Sequence, residues 1–178
     1  MTDTFFASVD TIRYEGPDSD NPLAFRWYDA DRLVAGRNMR DHLRFASCYW
    51  HSFDSGGSDI FGADTFDRPW LGAGDPIENA EAKMAAAFEF FEKLTVPFWC
   101  FHDLDIAPEG HSFKDTAANI DHMIDLAAEY QERTGVRLLW GTARLFGHPR
   151  YMAGGATNPD PEVFAYGAAQ VAHCMNAT

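Results

Sequence analysis

The sequence is poor in cysteine and in positive charge. Its 178 residues hold only three cysteines, Cys48, Cys100 and Cys174, an odd number without metal-ligand spacing. They read as small buried hydrophobes in a reducing compartment. Lysine and arginine number 14 against 27 aspartates and glutamates, a net charge of −13, which argues against nucleic acid or an anionic membrane as the main partner. No stretch approaches the ~20 apolar residues of a membrane span. The start, Met1-Thr2-Asp3-Thr4-Phe5-Phe6, lacks the basic opening and apolar core of a signal peptide. A soluble, cytoplasmic protein is expected. No glycine-rich phosphate fingerprint follows the first strand candidate, so a dinucleotide fold is not supported.

What is present is an ordinary globular mixture, 46% hydrophobic and 23% charged, enough for one domain with a substantial core. Residues 1–40 read as irregular, with turn clusters such as Glu15-Gly16-Pro17-Asp18, and a short helix is expected over Asp31 to Asp41. Leu43 to Trp50 is the first strand candidate, followed by a long Gly- and Asp-rich loop from His51 to Asp75. A helix opens at Asp75-Pro76-Ile77-Glu78 and carries Met84, Phe88, Phe91 and Leu94 on one face. The second strand, Val96 to Phe101, comes directly after it. A second helix over Lys114 to Arg133 presents Ala117, Ile120, Ile124, Ala127 and Tyr130, and Gly135 stops it. The third strand is Val136 to Thr142. A last helix starts at Pro161 behind the N-cap Asp160 and runs towards Asn176.

Strands alternating with such helices predict βαβ units and a parallel α/β sheet. A TIM (β/α)₈ barrel fits, but a full barrel takes roughly 250 residues. The expectation is a partial barrel of three to four βα units over residues 41–178, preceded by an irregular segment, residues 1–40, that packs on it.

The run Phe101-His102-Asp103-Leu104-Asp105-Ile106-Ala107-Pro108-Glu109-Gly110 places polar groups where a buried strand emerges, which is costly unless they are paired or used. His102 and Asp105, three apart past a strand end, can pair so that the carboxylate fixes the ring tautomer for general acid/base work. Two other readings stay open: a satisfied strand-end histidine with Asp105 capping a turn, or His102, Asp103 and Asp105 as metal ligands. Trp50, Trp140 and Phe146 lie near strand ends and can form a dry pocket wall, or be ordinary core aromatics. Phe61 and Arg68-Pro69-Trp70 sit in the long loop, where exposed aromatics serve interfaces.

These residues resemble the N-terminal part of the long-chain xylose isomerases. The likeness is carried by Arg13-Tyr14-Glu15-Gly16, Asn21 to Arg26, His42 to Ala46, Tyr49-Trp50-His51, Pro97 to Gly110, Leu139 to Ala143 and Ala156 to Phe164. It implies a homotetrameric TIM-barrel isomerase using two divalent cations (Mg, Mn or Co) to convert the aldose D-xylose to D-xylulose, and often glucose to fructose. By position, His102 would assist ring opening with Asp105 orienting it. Trp50, Trp140, Thr142 and Phe146 would line the sugar site, and Phe61 would reach the neighbouring subunit's pocket. The family's metal ligands and its Glu-Pro-Lys-Pro motif have no counterpart in this sequence. The chain alone is therefore expected to hold no metal pair and to be inactive as an isomerase. The alternatives are a non-catalytic barrel fragment that needs a partner half, or a related TIM-barrel isomerase. A partial barrel would leave Leu138, Leu139 and Trp140 on an unpaired apolar edge prone to aggregation.

Overall fold

Three parallel strands form the centre of the chain in a computed structural model that describes residues 4–65, 67–72 and 74–178. They are β3 (Ala46–Cys48), β4 (Phe98–His102) and β5 (Arg137–Thr142), with β4 in the middle. Cys48 pairs with Cys100, Cys100 with Trp140, and His102 with Thr142. The result is a mixed α/β architecture with a parallel sheet, consistent with part of a TIM barrel.

Before the sheet, β1 (Leu33–Val34) and β2 (Arg37–Asn38) form a small antiparallel hairpin, followed by α1 (Met39–His42). The helix expected over Asp31 to Asp41 is therefore mostly a hairpin. Ala35 and Gly36 both take positive φ, 49° and 79°, the pair of values that a two-residue hairpin turn requires and a helix forbids. The first strand is also shorter than Leu43 to Trp50. Tyr49 already has helical backbone angles and the chain winds into a π-helical turn over Trp50–Asp54, so the expected long loop begins as an ordered turn.

The helices begin and end where local chemistry directs. Asp75 accepts from the N–H groups of Ile77 and Glu78 at the start of α2 (Pro76–Leu94). Ser112 accepts from Asp115 N–H to open α4 (Phe113–Thr134), and Gly135 closes it with φ 75°. Asp160 accepts from Glu162 N–H at α5 (Pro161–Asn176). A single turn, α3 (Asp103–Ile106), follows β4 without a break.

Side chains alternate across β4. Trp99 and Phe101 face α2 and α4. There Phe88 stacks on Tyr130 with ring centroids 5.0 Å apart and meets Trp99 at 5.4 Å. Met84, Phe88 and Phe91 are fully buried, as their spacing predicts, whereas Leu94 is half-buried. On α4 the buried stripe is Thr116, Ile120, Met123, Ala127 and Tyr130. It is rotated slightly from the expected one, because the long Met123 side chain takes the central place and Ile124 sits at its margin. Gly141 is required by this packing: a Cβ there would fall 2.8 Å from the Phe101 ring.

Trp70 is buried, unlike the exposed interface aromatic expected in that loop. Its indole N–H donates to Phe53 O at 2.8 Å, and its ring meets Phe5, Phe6 and Phe53. The N-terminal segment is tied down beside it, since the N–H groups of Phe5 and Phe6 donate to the Glu89 carboxylate on α2. Among the described residues no helix is long and apolar enough to cross a membrane.

Candidate active site

The end of β4 and the first turn of α3 put His102 against Asp105. Nδ1 lies 2.7 Å from Asp105 Oδ2. An ionised carboxylate can only accept, so Nδ1 is the donating nitrogen of this pair and Nε2 is the nitrogen that Asp105 does not engage. Oδ2 also accepts from the backbone N–H of His102 at 3.1 Å, the reach-back of a capping box. The one interaction therefore starts the helical turn and orients the ring. The Asp105 side chain is 4% exposed and that of His102 15%.

Three aromatic rings surround the imidazole. Trp50 lies 4.5 Å from it, centroid to centroid, Phe146 5.4 Å edge-on and Trp140 6.1 Å. Trp50 and Trp140 meet at 5.6 Å. Trp50 arrives from the π-helical turn after β3, Trp140 from β5, and Phe146 from the loop beyond it. All lie on the face of the sheet opposite Trp99 and Phe101. Thr142, opposite His102 in the register, is exposed on the same edge. Phe61 stands apart at the tip of a turn closed by an Asp59–Gly62 bridge, 90% exposed.

A second layer of charge supports the pair. Lys83 of α2, almost fully buried, forms an ion pair with Asp54 and donates to Asp105 O at 2.5 Å. Burial raises the Asp54 carboxyl above its ordinary value, and Lys83 pulls it back only in part. Tyr49, below the lysine, is raised well above the ordinary phenol value, chiefly by burial and then by Asp54 and Asp105. On the other side, Arg144 Nη1 lies 3.7 Å from Asp105 Oδ1.

Asp103 does not join this constellation. Its Oδ1 accepts from the N–H groups of Leu104 and Arg144, and Oδ2 accepts from Gln170 Nε2 at 2.7 Å. Both oxygens accept from protein donors, and none of these contacts is to His102 or Asp105. Among the described residues no three His, Cys, Asp or Glu side chains are placed to hold a metal ion.

No family model matches the chain. Curated relatives do. The chain is 59% identical over 174 residues to a protein named xylose isomerase from Pseudomonas syringae pv. syringae, covering 98% of this chain and 40% of that protein. It is 56% identical to a xylose isomerase from Photobacterium profundum and 57% to one from Salmonella newport, with the same coverages. The chain corresponds to an N-terminal portion of the xylose isomerases. It spans 40% of the length of these relatives.

Within this chain, His102, Asp105, Trp50, Trp140 and Phe146 form one cluster, Thr142 borders it, and Phe61 does not approach it. Sequence reasoning missed Lys83, Asp54 and Arg144. Lys83 carried a signal, a lysine next to Met84 on the apolar face of α2. Asp54 and Arg144 carried none, because their partners are distant in sequence.

Proposed function

We propose that this chain supplies the sugar ring-opening half of an aldose–ketose isomerase site acting on D-xylose. The reading is carried by the 2.7 Å His102–Asp105 pair inside an aromatic box. Nε2, the nitrogen not engaged by Asp105, would take the anomeric hydroxyl proton of a pyranose and return it to the ring oxygen as the C1–O5 bond breaks, while Asp105 holds the Nδ1 side of the ring. Trp50, Trp140 and Phe146 offer flat apolar faces for the C–H faces of the sugar, and Thr142 adds a hydroxyl at the rim. Phe61, 90% exposed at a turn tip, suits insertion into a neighbouring copy, in keeping with a homotetramer of the whole protein.

The divalent cations implied by the resemblance do not fit these residues. Asp103 is committed to three N–H donors and Asp105 to His102. No step is therefore assigned to a metal in this chain. It is expected to accelerate interconversion of the xylose anomers, which requires only ring opening, and to form no xylulose. Polarimetry of D-xylose with the 178-residue chain and its His102→Asn variant tests this. Equal rates for the two would sink the reading, and metal-dependent xylulose formation would sink the assignment of inactivity.

A further inference from the structure

We infer that Arg144 is a positioning residue for the His102–Asp105 pair, acting by sharing the charge of the Asp105 carboxylate. The inference deepens the ring-opening reading and rests on it for its functional meaning. Its geometry does not. The two oxygens of Asp105 have separate duties: Oδ2 receives both N–H donors of His102, while Oδ1 faces Arg144 Nη1 at 3.7 Å.

The arginine backbone is held on both sides. Its backbone N–H donates to Asp103 Oδ1 at 2.8 Å, and its carbonyl accepts from Gln170 Nε2 at 3.4 Å. Its guanidinium lies against Gly147, where a Cβ would fall 2.9 Å from Cζ, and Cζ stands 5.8 Å from the Phe146 ring. Phe146 is also the ring packed edge-on against His102. Arg144 is thus set by the Asp103–Gln170 connection and by a glycine that leaves room for its side chain.

The charged groups around the pair come from every element packed on it. Lys83 of α2 is committed to Asp54 and to the Asp105 carbonyl, not to the Asp105 carboxylate. Asp103 points away, towards α5. That leaves Arg144 as the cation closest to the carboxylate among the described residues. A carboxylate that shares its charge with a guanidinium is a weaker acceptor for Nδ1–H. The Nδ1–H···Oδ2 bond that orients the ring is thereby set in strength by the cation on the other oxygen.

The test is the Nδ1–H proton resonance of His102 in the ¹⁵N-labelled full chain, compared with Arg144→Met, Arg144→Lys and Gly147→Ala. Removing the guanidinium makes Asp105 a stronger acceptor, so Arg144→Met shifts the resonance downfield. Gly147→Ala, which displaces the guanidinium without removing it, shifts it the same way by less. Arg144→Lys stays near the wild type. An unchanged resonance in Arg144→Met, or an equal shift in Arg144→Met and Arg144→Lys, overturns the inference. The readout does not depend on sugar chemistry, so failure of the polarimetry experiment and failure of this one are separate results.

Discussion

Gln170 Nε2 donates to Asp103 Oδ2 at 2.7 Å across 67 residues of sequence. Gln170 in turn accepts from the Tyr151 hydroxyl, also at 2.7 Å. The chain Tyr151–Gln170–Asp103 is buried throughout. It ties α5 to the end of β4 and, through the Arg144 N–H on Asp103, to the loop after β5. The position of the candidate site thus depends on a polar connection that passes behind it.

Gln170→Leu is expected to destabilise the chain by about 1–3 kcal/mol, because it strands a buried carboxylate oxygen and a buried hydroxyl. Urea unfolding measures the loss. A midpoint equal to that of the wild type would show that the connection contributes nothing.

Lys83→Met removes the donor to Asp54 and to Asp105 O while leaving the Asp54 charge in place. Breaking a buried pair from one side costs roughly 3–5 kcal/mol, less here because the Asp54 side chain is 30% exposed. The double variant Lys83→Met/Asp54→Leu is expected to recover part of the loss. If the double variant is no more stable than Lys83→Met, the cost does not come from the uncompensated Asp54.

The outer edge of β5 exposes Leu139 and Trp140 by 40% and 41%. An edge of this kind invites strand pairing between copies. Leu139→Lys is expected to reduce concentration-dependent association measured by light scattering behind a sizing column. Unchanged association would place the contact elsewhere.

Burial raises the Cys100 and Cys174 thiols to about 11 from the ordinary 9.0, with Cys48 adding to the effect on Cys100 and Asp103 to that on Cys174. Thiols raised on folding stay protonated after the unfolded chain has begun to ionise. Their contribution to stability is therefore full below pH 9 and falls as pH rises towards 11. Urea midpoints should decline across that interval. In Cys100→Ala/Cys174→Ala the decline should be shallower, and an identical slope would refute the assignment.

Local chemistry makes much of this protein legible in its sequence. Asp75, Gly135 and Asp160 mark helix ends because a cap is a contact within a few residues of its own position. The three strands are visible as apolar runs, and the His102–Asp105 pair because its two members lie three residues apart. Asp31 to Asp41 misleads, since the turn chemistry of Ala35-Gly36 outweighs helical spacing. Tertiary structure alone decided which carboxylate meets His102. Asp103 and Asp105 are chemically alike and two residues apart, yet Asp103 is consumed by Gln170 and two backbone N–H groups while Asp105 turns to His102. It also decided that Trp70 is buried, and that Lys83 and Arg144 flank the pair. Each of these rests on partners well separated in sequence, brought together only when the helices pack on the sheet.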